Sequence, residues 1–207
     1  MNKIGIMGGT FNPIHCGHLF LAENAYEQAG LDKILFMPSK NPPHKIKPVN
    51  IMDQQRVDMI NLAIQNNPHF ELSEMELNRE GLTYTADTLT LLTEKYPQIE
   101  YNFIVGTDSL FMMQNWKQPQ IIFDHCIVIV AGRDNADEKH IRQHIEYLEN
   151  TFQARIQYIE MPMIQIASAD IRDRIASGKT IRYYMPDAVI EYITKNKLYF
   201  ADQEDII

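Results

Sequence analysis

The chain has 207 residues, 45% of them hydrophobic, and a formal net charge of −8. That length holds one well-buried α/β domain with little room for a second, and the acidic balance argues against a nucleic-acid partner, which takes a basic face. No apolar run reaches membrane-spanning length, no secretory leader precedes the first strand pattern, and two cysteines far apart give no disulfide framework, so the expected setting is a reducing cytoplasm, away from any membrane.

Taken in chain order, Lys3-Ile4-Gly5-Ile6-Met7 reads as a strand over 2–7. The segment Gly8 to His18 follows, and a helix is expected over 18–29. Further strand patterns fall at 32–37, 69–75, 100–105, 126–131 and 154–160. Helical patterns fall at 52–66, 85–95, 107–122, 136–150, 169–177 and 186–195. Alternation of this kind predicts a Rossmann-like, doubly wound α/β fold, with a mainly parallel sheet covered by helices on both faces. Cys126-Ile127-Val128-Ile129-Val130 is apolar throughout, as an interior parallel strand requires. Asp53 marks a helix N-cap region. Asn41-Pro42-Pro43-His44-Lys45 reads as a loop by its prolines. Residues 1–200 are expected to form a single domain, and 201–207 a loosely held acidic tail.

Several positions carry chemistry. Gly8 and Gly9, leaving a strand, let backbone N–H groups approach a ligand without a Cβ in the way. Thr10 and Phe11 continue that loop. His15 and His18, one turn apart at a helix start, aim two donors where the helix dipole favours negative charge. This is a phosphate-binding design. A structural zinc site needs about four ligands, and Cys16 and Cys126 are too few thiols to complete one. No G-x-G-x-x-G is present, which excludes the dinucleotide fingerprint. Gly178-Lys179-Thr180 imitates the end of a P-loop, but Asp173 stands where that loop needs glycine; Gly178 is expected to end a helix.

Four further stations belong to the candidate site. Gly106 and Asp108 lie at the carboxyl end of a strand, where ligands sit in open α/β sheets. Ser168 is placed at a helix N-cap with Arg172 one turn later, a phosphate-binding pair. Trp116 is the single tryptophan; core packing and stacking on a flat ring both suit it. Tyr84 and Thr85 open a helix, and with no acid nearby such a start favours a carboxylate over a neutral amide. Lys33, Lys40, Lys45 and Lys47 fall in a stretch without acids, which suggests a small anionic ligand, with Lys45 acting on a phosphate as a point charge.

The string GGTFNPIHCGHL resembles the first signature of the HxGH nucleotidyltransferase superfamily. IASADIR at 166–172 resembles its second, with Ala167 and Ala169 in place of a serine and a threonine. Together with PPHK at 42–45, TYTADTL at 83–89 and GTDSLFMMQNW at 106–116, the chain resembles the bacterial nicotinate mononucleotide adenylyltransferases from Met1 to about Phe200. The resemblance implies transfer of the adenylyl group of ATP to nicotinate mononucleotide, giving deamido-NAD and pyrophosphate. It implies His15, His18 and Arg172 as catalytic residues. ATP would be bound by Gly8, Gly9, Thr10, Phe11, His15, His18, Gly106, Asp108, Ser168 and Arg172, and the mononucleotide by Lys45, Tyr84, Thr85 and Trp116. Mg²⁺ would ride on the ATP phosphates, with no dedicated protein site. A homo-oligomer is left open. Rival readings are the pantetheine-phosphate and glycerol-phosphate members of the superfamily, a class I tRNA-synthetase fragment, which the acidic charge disfavours, and a nucleotide sensor without catalysis.

Overall fold

The computed structural model describes residues 2–40, 51–132, 138–162 and 164–201. Side chains of β1 (Asn2–Gly9) alternate across the strand. Ile4 and Ile6 join the apolar cluster on one side of the sheet and Met7 the cluster on the other. With β2 (Lys33–Pro38), β3 (Phe70–Leu72), β4 (Ile99–Gly106), β5 (Cys126–Gly132) and β6 (Arg155–Glu160) it forms a six-stranded sheet in the order β3-β2-β1-β4-β5-β6, with every pairing parallel. The doubly wound expectation is met. β5 lies between β4 and β6 and feeds both cores, Val128 and Val130 on one face and Ile129 on the other, which is why its alternate positions are both apolar.

Among the described residues four helices cover one face: α1 (Cys16–Ala29), α2 (Asp53–Ile64), α7 (Ser168–Ala176) and α8 (Asp187–Lys195) contribute Ala22, Met59, Ile171 and Val189 to its core. On the other face α3 (Thr85–Lys95), α5 (Pro119–His125) and α6 (Glu138–Phe152) contribute Leu89, Ile122 and Leu148. The short α4 (Thr107–Leu110) caps the end of β4.

Pairing at the centre of the sheet positions the site. β1 and β4 pair from Asn2–Ile99 to Met7–Ile104. Beyond that register β1 stays with β2 as far as Gly9–Pro38, and β4 stays with β5 as far as Gly106–Ala131. The chain winds outward in one direction from β1 and in the other from β4. The two strands therefore part at the switch point, and a crevice opens at their carboxyl ends.

The helix expected over 107–122 is corrected. It is three pieces: α4, a 3-10 turn at Met113–Asn115, and α5. Trp116 is extended (φ −72°, ψ 164°), Gln118 is left-handed (φ 51°), and Pro119 begins α5 at a position where no N–H is needed. Caps also move by a residue or more. α1 begins at Cys16 with His15 as its cap, and Met52 rather than Asp53 caps α2. Ala167 rather than Ser168 caps α7. Gly178 stands just past α7 with φ +64°, its N–H on the Ile175 carbonyl, which accounts for the glycine there. The expected strand 69–75 is a three-residue edge strand, paired on β2 alone. The loop over 41–45 and residues 202–207 of the expected tail lie outside the described residues.

Candidate active site

Two adjoining cavities occupy the crevice. The larger, about 1040 Å³, is lined by His15, Gly17 and His18 at the head of α1, by Gly106 and Asp108 after β4, and by Gly132 at the end of β5, among others. The smaller, about 410 Å³, is lined by Gly8, Gly9 and Thr10 after β1, by Tyr84 and Thr85 at the head of α3, and by Trp116. Asp108 and Ser109 line both. The two spaces thus meet beside the first turn of α4.

The loop between β1 and α1 is tied down by its carbonyls. Gly9 O accepts from the Ser39 amide at 2.8 Å, and Thr10 O from Arg56 Nη1 at 2.7 Å. Asn12 O accepts from Arg172 Nη1 at 2.7 Å, and Pro13 O from the Ser168 hydroxyl at 2.9 Å. The phenol of Tyr199 donates to Asn12 Oδ1 at 2.6 Å. Donors from the residue after β2, from α2 and α7, and from the segment after α8 so hold one loop by its acceptors. Arg56 is itself buried at 4% exposure and paired with Asp53 at 2.7 Å.

Two imidazoles stand at the end of this loop. Their rings stack with centroids 3.7 Å apart and 26° between planes. The His15 N–H donates to His18 Nδ1 at 3.3 Å, so that nitrogen is unprotonated and the ring proton sits on Nε2. Phe11 supports the His18 ring edge-on at 5.0 Å. His15 is 5% exposed, and burial lowers its pKa to about 4, so it is neutral at pH 7. Gly17 permits the stack. A Cβ there would lie 3.0 Å from His15 Nδ1 and 3.1 Å from Cε1. At the helix head, Cys16 N–H donates to the Tyr184 carbonyl and His18 N–H to the His15 carbonyl. The Gly17 amide makes no hydrogen bond among the described residues, and Gly17 faces the larger cavity.

A model of the cytidylyltransferase-like family matches residues 6–182. The "Probable nicotinate-nucleotide adenylyltransferase" of Lachnoclostridium phytofermentans is 48% identical over 199 residues, covering 96% of this chain and all of that one. The protein of the same name from Thermomicrobium roseum is 42% identical over 200 residues, covering 96% and 92%. The chain belongs to the nicotinate-nucleotide adenylyltransferases, within the cytidylyltransferase-like family. Its fold is also that of the Plasmodium falciparum nicotinic acid mononucleotide adenylyltransferase complexed with NaAD, with TM-score 0.79, 20% identity, and coverage of 96% of this chain and 98% of that one.

Within this adenylyltransferase the expected residues divide into groups. His15, His18, Gly106 and Asp108 line the larger cavity. Gly8, Gly9 and Thr10, expected around ATP, line the smaller one, beside Tyr84, Thr85 and Trp116. The Phe11 ring is 1% exposed and lines neither cavity; it packs on His18 and Phe36. Ser168 and Arg172 bond to the loop's carbonyls. Lys45 lies outside the described residues. Of the other lysines in its stretch, Lys33 pairs with Glu71, and Lys40 Nζ donates to the Arg79 carbonyl at 3.0 Å.

Trp116 stands edge-on to Phe103, centroids 6.2 Å apart, and remains part of the smaller cavity's wall. Packing and wall are one position, so the two sequence readings of this residue coexist. Neither Thr85, Ala86 nor Asp87 donates its N–H within the described structure, which leaves the head of α3 with open amides. The expectation that no acid stands near this helix start is corrected. Glu76 lines the smaller cavity, and Asp87 lies in the helix's first turn. Burial raises the Glu76 pKa, while the Thr88 hydroxyl, which donates to Oε1 at 2.7 Å, and the Arg79 charge pull it back. Arg79 in turn donates to Thr88 Oγ1 at 2.9 Å.

Arg56, Glu76 and Tyr199 were not signalled by the sequence. Each is a single polar residue in an ordinary segment, and only the fold brings it to the loop or the cavity. Gly17 sits inside the first signature, and its spacing between two histidines is the signal that marks it.

Proposed function

We propose that this adenylyltransferase places ATP in the larger cavity and nicotinate mononucleotide in the smaller, and joins them where Asp108 and Ser109 face both. A 5′-phosphate oxygen of the mononucleotide attacks the α-phosphorus of ATP. The bond from that phosphorus to the bridging oxygen of the β-phosphate breaks, and pyrophosphate leaves with the electron pair. The attacking phosphate is already ionised at neutral pH, so no protein nucleophile takes part. Catalysis is positioning with stabilisation of charge on the phosphoryl oxygens.

One observation carries this reading: the paired imidazoles and Gly17, whose amide makes no hydrogen bond among the described residues, line a nucleotide-sized cavity that adjoins a second one. The His15 backbone fixes His18 as an Nε2–H donor, and the head of α1 adds its dipole. His18 donates to an α-phosphate oxygen as its charge grows. His15 stays neutral and holds the His18 ring by stacking. Ser168 and Arg172 act through the loop first, by fixing the carbonyls of Pro13 and Asn12, and the remaining guanidinium donors of Arg172 meet the polyphosphate. The pyridine ring lies against Trp116, its carboxylate meets the open amides of α3 near Tyr84 and Thr85, and Lys45 meets the mononucleotide phosphate.

Magnesium enters as part of the substrate, MgATP, since this ion keeps much of its water and binds through phosphate oxygens. Among the described residues no group of three or more His, Cys, Asp or Glu side chains is arranged to hold a metal, and none of their helices is long and apolar enough to cross a membrane. Cys16 and Cys126 are both free thiols, which suits the reducing cytoplasm proposed as the enzyme's compartment.

The test is pyrophosphate release on mixing the enzyme with MgATP and nicotinate mononucleotide, with CTP and with 4′-phosphopantetheine or glycerol 3-phosphate as alternative partners. Release is expected for ATP with the mononucleotide alone. Faster release with CTP or another acceptor replaces this assignment by a sister activity of the fold.

A further inference from the structure

Three charged side chains line the smaller cavity among the described residues: Glu76, Asp108 and Lys117. Lys117 is the cation of the set. It follows Trp116 in the short segment that separates the 3-10 turn from α5, between the extended Trp116 and the left-handed Gln118. Its Nζ lies 4.2 Å from the centre of the Tyr84 ring, over the residue that caps α3. The same Nζ is 3.3 Å from an oxygen of Asp87, in the first turn of that helix. Asp87 also has Arg79 Nη2 at 3.6 Å. Two cations thus share one carboxylate at the head of α3, and Lys117 is the one of the two that reaches the cavity.

We propose that Lys117 is a specificity-determining residue that reads the pyridine carboxylate of the mononucleotide, with Asp87 holding its ammonium over Tyr84 until the substrate arrives. This rests on the placement of the mononucleotide in the smaller cavity. The physical reason is charge. Helix amides alone attract a carboxylate by partial charges confined to the first turn, and the carboxyls of Glu76 and Asp108 on the cavity wall offer an anion no positive charge. A full positive charge on the wall supplies that attraction, and a neutral amide gains little from it. The lysine side chain is 43% exposed, its four-carbon stem is flexible, and its surface partner is weakly held. Moving from Asp87 to an incoming carboxylate requires only rotation about that stem. The anchoring cation–π contact with Tyr84 keeps it near the ring as it turns.

The experiment compares kcat/KM for nicotinate mononucleotide and for its amide counterpart, at saturating MgATP, in the unaltered enzyme, in Lys117→Gln and in Lys117→Arg. Lys117→Gln is expected to lower the acid-to-amide ratio about tenfold, through KM for the acid, while the amide's kcat/KM moves by less than about twofold. Lys117→Arg keeps the charge and is expected to recover most of the ratio. An unchanged ratio in Lys117→Gln, with both substrates falling together or neither falling, overturns the proposal and leaves the lysine as packing on Tyr84. Absence of turnover of either mononucleotide by the unaltered enzyme is a different result. It removes the assignment of the cavity itself.

Discussion

A Cβ on Gly17 would stand 3.0 Å from Nδ1 of His15. The glycine between the two histidines is therefore a space requirement. It lets the first imidazole fold back beneath the second, and Gly17 itself lines the larger cavity. His15 is thereby the buried ring of the pair and His18 the half-buried one at the cavity wall.

Replacing Gly17 by Ala is expected to displace the His15 ring by a few tenths of an ångström and tilt the His18 ring stacked on it. Steady-state kinetics are expected to show kcat falling by about tenfold or more, in keeping with the sensitivity of phosphoryl transfer to small misplacement. Unaltered kcat in a folded Gly17→Ala enzyme contradicts the space argument.

In the proposed mechanism, His18→Ala removes a donor aimed at charge that develops in the transition state. Loss of one such donor costs about 10²–10³ in kcat. The side chain is half-buried at the cavity wall, so thermal unfolding is expected to shift little. His18→Gln, which keeps a donor, is expected to retain more activity than His18→Ala.

Acid is expected to destabilise the enzyme through His15. Its pKa in the folded state is about 4, against about 6.5 for the unfolded chain. Above the unfolded value both states carry a neutral ring, and the full stability is present. Below it the unfolded chain takes up a proton that the fold refuses, and stability is lost as the pH falls from about 6.5 towards 4, by about 3 kcal/mol in all. Urea midpoints measured at pH 7 and pH 4.5 in the unaltered enzyme and in His15→Asn read this out. The acid loss shrinks in the variant if His15 is its source.

Tyr199 ties the far end of the chain to the active-site loop through Asn12 Oδ1 at 2.6 Å. Burial holds its phenol above the ordinary tyrosine range, so it is a hydrogen-bond donor at every working pH. Tyr199→Phe leaves the buried amide oxygen of Asn12 unpaired and is expected to cost about 1–3 kcal/mol in chemical denaturation. It also loosens the loop, so KM for ATP rises. A variant with an unchanged denaturation midpoint shows that this tie contributes nothing.

Much of the fold was legible, because period and punctuation agree. The apolar run at Cys126 to Val130 announces an interior strand, and Gly178 announces a helix end. The helix expected over 107–122 shows where legibility ended. Its apolar spacing is helical, but Gln118 adopts a left-handed backbone that spacing does not encode, and Pro119 starts a new helix instead of ending an old one. In the site, the residues on the first signature were readable because consecutive positions share one loop. Arg56, Glu76 and Tyr199 were not, since each reaches the site from a distant element. Ser168 and Arg172 were readable as a pair at the head of a helix, but which partner they take depends on the tertiary approach of the β1–α1 loop, and their bonds to the Pro13 and Asn12 carbonyls are a feature of that approach.

The most direct test of the account is a crystal structure of the enzyme with a non-hydrolysable ATP analogue. The triphosphate is predicted in the larger cavity, with a phosphate oxygen within hydrogen-bond distance of both the Gly17 amide and His18 Nε2. A triphosphate bound elsewhere, or bound there with the His18 ring turned away from it, contradicts the account.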